Sequence, residues 1–411
     1  MSVTNIAKAL KDRGLVEQEA GDMNAFLAEK RKVYLGIDPT ADSFHVGNLV
    51  PIFLMKHLAD AGHDVVFIVG GGTGMIGDPR ESGERVLLDA ETVERNTAAI
   101  RAQLGKIFGG KQYPIFNNAE WLTKLGIIEF LRDIAKHFTV NQLIKREIIK
   151  KRLDAEDPLS FTEFSYSLLQ GYDYLHLFKT EGVDLQVGGS DQWTNILSGV
   201  ELIRRKEGAA AYALTAPMII DKKSGKKFGK SEGNAVWIDP EKTSPFAFYQ
   251  FWVNVSDEGV EDYLKIFTFL PLERIAEIVA EHSADPAKRI AQELLAFEAT
   301  KLVHGEEAAR NAKRVSDLVF GDALSLSSLS QPEIDSLLRS MPSAVVAEGS
   351  SVVDALVAAG LAPSKSEARR LIEGRGVYMN NRLIETPDQT FSAKGVELLR
   401  VGRKVALLSL K

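Results

Sequence analysis

Two short runs, Val33 to Ile37 and Val65 to Val69, restrict this chain more than any other feature. The second is apolar at every position, the pattern of a strand buried on both faces. Between them, about Asn48 to Ala61 has helical length and stops at Gly62; Pro51 sits in its first turn, where a missing N–H costs little. Strand, helix and strand in this order predict a βαβ unit, whose crossover is right-handed in nearly all known cases. The first half of the chain therefore reads as a parallel sheet covered by helices.

Further signals extend the pattern. Asp89 precedes a helix over Ala90 to Ile107, and Thr139 with Gln142 has the spacing of a capping box before an Ile- and Lys-rich helix. Ser160 or Thr162 opens a helix to about Lys179. Leu185 to Val187 reads as a third buried strand, broken by Gly188-Gly189, with a helix starting near Ser190. Pro217 to Ile220 and Val236 to Ile238 are expected strands flanking a loop rich in glycine and lysine. From Ser244-Pro245 the chain turns helical through about Leu318. Ala323 to Ser351 is serine-rich, carries Pro332 and Pro342, and is expected to be a loosely ordered connection. Ser350 to Lys411 carries ten Lys/Arg against six Asp/Glu, a net +4 in a chain of net charge −6. Lys365, Arg369 and Arg370 share a short helix there, and Val377 to Leu383 reads as a hairpin turning on Asn380-Asn381. The boundaries implied are 1–242, 243–322, a linker 323–349, and 350–411.

Composition removes several classes of function. The 411 residues include no cysteine, which excludes disulfides, thiolate zinc sites and cysteine nucleophiles. The seven histidines are scattered without the spacing of a helical metal site, so no metal centre is expected. Met1 to Leu15 lacks the apolar core of a signal peptide, and no run approaches the roughly 18 apolar residues of a membrane span. A cytoplasmic chain is expected. The net negative charge argues against indiscriminate coating of nucleic acid but permits a local basic patch.

Three constellations carry chemistry. Asp38-Pro39-Thr40 through His45-Val46-Gly47-Asn48 follows a parallel strand and opens a helix, where ligands of open α/β sheets bind and unpaired N–H groups favour phosphate. Gly47 lets a nucleotide approach the backbone, and His45 can donate to a phosphate oxygen. Lys222 to Ser231 reads KKSGKKFGKS, a cationic loop able to close over a polyphosphate. The first alone is equally compatible with a solvated loop, and the lysine run alone favours a solvated turn. Tyr166, Gln170 and Asp173 fall at i, i+4 and i+7 on one helix face; buried, they require polar company, and the alternative is an exposed face. Gly72 to Gly77 fits GxGxxG, but Asp78-Pro79 follows at once and blocks the long helix a dinucleotide site requires.

Together, the first two constellations resemble the HIGH and KMSKS signatures of class I aminoacyl-tRNA synthetases, with Asn48 at the second histidine and Phe228-Gly229 in place of Met-Ser. Tyr34 to Thr40, Phe161 to Tyr166 and Gly188 to Trp193 are similar to the bacterial tyrosyl-tRNA synthetases, and the similarity covers nearly the whole chain. The resemblance implies a Rossmann-type α/β catalytic domain with an insertion, then an α-helical anticodon-region domain and a small α+β RNA-binding module of the alpha-L type. It implies His45, Asn48, Lys227, Lys230 and Ser231 as catalytic residues. Tyr34 and Asp173 would hold a substrate phenol, and Asp78, Tyr166 and Gln170 its ammonium. Gly36, Asp38, Thr40, Gly47, Gly189, Asp191 and Gln192 would join His45, Asn48 and Lys230 around the adenylate. The tRNA would meet Lys145, Arg146, Lys150, Lys151 and Arg152 at the acceptor stem and Lys365, Arg369 and Arg370 in the last module. Implied partners are tRNA(Tyr), L-tyrosine and ATP with Mg2+, the latter as co-substrates rather than tightly bound cofactors, and a second copy of the chain. Two rivals share much of this pattern: a tryptophanyl-tRNA synthetase, disfavoured by Tyr34 with Asp173, and a non-catalytic RNA-binding relative, disfavoured by the retained lysines and Ser231.

Overall fold

The computed structural model describes residues 6–79, 88–111, 113–222, 225, 228, 230–231, 234–320, 329–380, 382–390, 396–402 and 404–410. The chain forms two compact units, Met1–Val236 with Ser256–Ala280, and Trp237–Val255 with Glu281–Lys411.

The first unit is built on a six-stranded sheet of β1 (Gln18–Ala20), β2 (Lys32–Ile37), β3 (Asp64–Val69), β4 (Ile115–Asn117), β5 (Leu185–Gly189) and β6 (Tyr212–Ala216). Their order is β1-β6-β5-β2-β3-β4, and every pair is parallel except β1 with β6. The helix Leu49–Asp60 crosses from β2 to β3, as the apolar runs predict. Asp89 caps the helix Ala90–Ile107 by accepting from the Thr92 N–H at 2.7 Å. The 21-residue helix Phe161–Glu181 starts at a capping Ser160 and stops at Gly182, whose φ of 68° suits glycine.

Three expectations fail here for local reasons. The helix after Thr139 is only Val140–Leu143, and Thr139 makes no capping bond. The Ile- and Lys-rich helix is a separate one, Glu147–Asp154, because Arg146 is extended at ψ 139° and sends its side chain to Asn195 and Ser198. Pro217 to Ile220 is not a ladder strand; β6 ends just before it at Ala216, since Pro217 has no N–H to continue the ladder. Val236 to Ile238 is likewise not a ladder strand; the short antiparallel pair in that region is β7 (Lys230–Ser231) with β8 (Asn234–Ala235).

Ser256–Ala280 belongs with the first unit, contrary to the expected boundary at 242–243. Buried Arg13 explains this. Its guanidinium donates to the carbonyls of Lys265 at 3.0 Å, Thr268 at 3.1 Å and Leu270, groups left unpaired where the helix Val260–Phe267 ends. Phe53 adds edge contacts to Phe267 and Phe269.

The second unit joins the helices Pro245–Val253, Ile290–His304, Glu306–Phe320 and Gln331–Ser340 to a sheet ordered β11-β10-β12-β13-β9. Its strands are β9 (Ser343–Val346), β10 (Val377–Met379), β11 (Arg382–Leu383), β12 (Val396–Val401) and β13 (Lys404–Leu410). Within its described residues, 329–349, the expected loose linker is therefore largely structured. Ser330 and Glu333 close a capping box around Pro332, and β9 pairs in parallel with β13. Nor is the last module a separate bead: Leu398 and Leu407 share one core with Phe246, Val315, Val319, Leu329 and Leu337. The Asn380 turn is present, with φ 46°; Asn381 lies outside the described residues.

Candidate active site

The first unit gathers its polar side chains at the C-terminal ends of β2, β3, β4 and β5, where strand carboxyl ends leave a crevice. Asp38, next after β2, accepts from the Thr73 hydroxyl and from the Tyr166 hydroxyl, each at 2.7 Å. Asn118, next after β4, donates through Nδ2 to Thr73 Oγ1 and to Asp173 Oδ2, both at 2.9 Å, and accepts the Gly72 N–H at 2.7 Å. Trp121 Nε1 donates to Asp173 Oδ1 at 2.7 Å. One hydrogen-bonded network thus joins three strand ends to the helix Phe161–Glu181. Gly70 makes it possible: a Cβ there would lie 2.0 Å from Asp38 Oδ1 and 2.4 Å from Thr73 Oγ1.

Burial sets the electrostatics. Asp173 is 3 % exposed, and desolvation pushes its carboxyl up to about 7 despite the donors from Asn118 and Trp121. Tyr34, 1 % exposed, is pushed well up by burial and then by nearby Asp173. Its ring meets Tyr174 edge-on at 5.2 Å, and its hydroxyl has no hydrogen-bond partner among the described residues. A buried hydroxyl left unpaired costs about 1–3 kcal/mol. Beside a buried carboxylate, it marks the place where a polar end of a ligand would be stabilised.

A second cluster surrounds Asp78, whose carboxylate accepts from Gln192 Nε2 at 2.7 Å and Asn195 Nδ2 at 3.1 Å. Tyr166 is buried and half-exposed Gln170 lies on the same helix face as Asp173, so that face lines the crevice rather than facing solvent. Gly36 is exposed at the end of β2 with open space above it. Thr40 is exposed, its N–H bonded to the Asp38 carbonyl at 2.8 Å. Asp191 is exposed next to Gly189.

His45 and Asn48 form a reciprocal cap, with the His45 N–H donating to Asn48 Oδ1 at 3.0 Å. The Val46 N–H donates to the Val236 carbonyl at 2.9 Å, and a Cβ on Gly47 would sit 3.5 Å from the Phe228 carbonyl. The two loop motifs, 180 residues apart in sequence, are therefore neighbours. Phe228 anchors the second against Tyr263 at 4.4 Å and Phe267 at 5.7 Å. Lys227 lies outside the described residues; Lys230 and Ser231 form β7, with only their backbone described.

The basic surface expected at 145–152 is only partly there. Lys145, Lys150 and Lys151 are exposed, Arg146 is partly exposed with its guanidinium turned to Asn195 and Ser198, and Arg152 is buried. The helix Glu147–Asp154 turns Ile149 and Arg152 inward three residues apart, and Arg152, 1 % exposed, pairs with buried Glu163 and with Asp157, both at 3.1 Å. Arg146 bonds Asn195 and Ser198. Lys365, Arg369 and Arg370 are exposed on the helix Lys365–Glu373, where Lys365 pairs with Asp354. Among the described residues no group of three or more potential ligands could hold a metal, and no helix is long and apolar enough to cross a membrane.

Sequence reading missed Gly70, Asn118, Trp121 and Asn195. The pair Asn117-Asn118 directly after the short apolar run Ile115-Phe116 was an available signal, because polar residues at a strand's carboxyl end fall into the crevice.

The profile of tRNA synthetases class I (W and Y) matches residues 28–321, and that of the Tyrosine--tRNA ligase SYY-like C-terminal domain matches residues 333–398. The chain is 44 % identical to a tyrosine--tRNA ligase of Anaeromyxobacter dehalogenans, over 97 % of this chain and 98 % of that protein. It is 43 % identical over the full length of both chains to one from Lactobacillus johnsonii. Among solved structures, a C-terminally truncated mitochondrial tyrosyl-tRNA synthetase of Aspergillus nidulans superimposes with a TM-score of 0.69 at 32 % identity, covering 77 % of this chain and 94 % of that one.

Proposed function

The chain belongs to the class I tRNA synthetases of the tryptophan and tyrosine type, and we infer that it works as a tyrosine--tRNA ligase. It activates L-tyrosine with ATP to tyrosyl-adenylate and diphosphate, then transfers the tyrosyl group to the 3′ end of tRNA(Tyr). The observation that carries tyrosine over tryptophan is the partnerless buried hydroxyl of Tyr34 beside the buried carboxylate of Asp173. A phenol hydroxyl can donate to the carboxylate and accept from Tyr34, whereas an indole N–H can only donate. A side chain lacking the hydroxyl leaves the Tyr34 hydroxyl without a partner and brings Asp173 no donor beyond Asn118 and Trp121, and that penalty rejects it.

In our reading Asp78, Tyr166 and Gln170 take the substrate ammonium. Asp38, Thr40, Gln192, Asp191 and the backbone at Gly36, Gly47 and Gly189 line the adenylate. The tyrosine carboxylate, already ionised, attacks the α-phosphate, so alignment and electrostatic stabilisation supply the catalysis. His45 and Asn48 meet the phosphates from one side, and Lys227, Lys230 and Ser231 from the other. Mg2+ enters with the ATP phosphates as part of the substrate. Lys145, Lys150 and Lys151 face the acceptor stem, and Lys365, Arg369 and Arg370 contact tRNA phosphates, a salt-sensitive attraction. The chain acts in the cytoplasm as a homodimer; Ile127, Ile128, Leu131, Val140, Ile144 and Phe161 are exposed apolar side chains of the kind a second copy covers.

ATP–diphosphate exchange with each amino acid in turn tests the function. Exchange is expected with tyrosine and not with phenylalanine or tryptophan. Equal exchange with phenylalanine would remove the role given to Tyr34 and Asp173.

A further inference from the structure

Arg146, expected at the acceptor stem, has its guanidinium turned instead toward the interior, and it forms no ion pair among the described residues. Its guanidinium reaches Asn195 Oδ1 through Nη1 at 3.4 Å and Ser198 Oγ through Nη2. Asn195 and Ser198 are 7 % and 5 % exposed. The other end of the Asn195 amide donates from Nδ2 to Asp78 Oδ1 and to Gln192 Oε1, each at 3.1 Å, and Gln192 Nε2 donates to Asp78 Oδ2 at 2.7 Å. Both oxygens of Asp78 are thus held by amides whose orientation is set from behind.

An asparagine amide has one accepting and two donating sites and can turn over, whereas a guanidinium only donates. Facing Arg146, Asn195 must present its oxygen, and its NH2 then points to Asp78 and Gln192. Turned over, Asn195 would set NH2 against the guanidinium and its oxygen against the Asp78 carboxylate. We propose that Arg146 is a positioning residue for tyrosine binding: it locks the Asn195 amide, and through it Gln192, so that the Asp78 carboxylate is held ready for the substrate ammonium. Burial brings Arg146 down to about 10, opposed by the charge of Asp78, so it is a cation at neutral pH. The inference rests on the reading that Asp78 takes the ammonium.

The test is steady-state ATP–diphosphate exchange and tRNA aminoacylation on the full-length chain, with active sites counted by stoichiometric adenylate formation. Arg146→Met is expected to raise the tyrosine KM about tenfold, the effect of losing one charge-assisted contact, and to change kcat and the ATP KM less, since Gln192 keeps its own bond to Asp78. Arg146→Lys keeps a donor-only group and is expected to hold the tyrosine KM within about threefold of the parent. A general loss of structure would instead lower kcat and raise both KM values. Asp78→Asn is the control. If it raises the tyrosine KM and Arg146→Met does not, the positioning role is overturned while the Asp78 reading stands. If Arg146→Met raises only the KM for tRNA, Arg146 belongs to the acceptor-stem surface and the proposal fails. Arg146→Lys as impaired as Arg146→Met also overturns it. An inert Asp78→Asn removes the Asp78 reading and the inference together.

Discussion

Asp173 should make the protein less stable as pH rises, and the size of the effect follows from its burial. Its folded carboxyl lies at about 7 against 3.8 for the exposed group. Between these values the folded state binds the extra proton, so the favourable contribution is complete below about pH 4 and is lost as pH rises through 7. Over a window from about pH 5.5 to about pH 8, the linkage relation gives a loss of about 2 kcal/mol. Asparagine at this position cannot titrate. The difference in unfolding free energy between the parent and Asp173→Asn should therefore fall by about 2 kcal/mol across that window, read from urea unfolding followed by far-UV circular dichroism. Tyrosine affinity should move the other way: the ionised carboxylate is the better acceptor for the substrate phenol, so binding tightens through neutral pH. A difference that is flat or rises with pH would refute the argument that desolvation, rather than the Asn118 and Trp121 bonds, governs this group.

Two further outcomes follow from buried contacts. Arg152→Met leaves Glu163 charged and unpaired in the interior and should cost about 3–5 kcal/mol in chemical unfolding, while the double variant with Glu163→Leu recovers most of the loss. Gly70→Ala should cut exchange activity at least about tenfold with little change in melting temperature, since its Cβ strikes the Asp38–Thr73 bond rather than the apolar core; a parent-like rate would show that this bond is dispensable.

Much of the first unit was readable in the chain because each signal was local. The apolar runs of β2 and β3, the Asp89 and Ser160 caps and the Gly182 stop act within a few residues, and the helix faces they set placed Tyr166 and Asp173 in the crevice. The pairing of the His45 and Lys227–Ser231 segments was inferred only through resemblance; locally, each reads as a solvated loop.

What tertiary structure alone decided involves groups satisfied from far away. Arg146, Arg152 and Arg13 look alike in sequence as basic residues near helix ends, yet each is drawn inward by partners up to 257 positions distant. Burying a guanidinium requires several acceptors in a fixed arrangement, which no local pattern encodes. The same holds for the boundary at 256–280 and for Asn118, whose value lies in bonding Gly72, Thr73 and Asp173 at once. The sequence by itself determined which segments become strands and helices and which helix face is polar, because those depend on neighbours. Long-range packing decided which charges are surface and which hold the site, because desolvation is a property of the assembled interior.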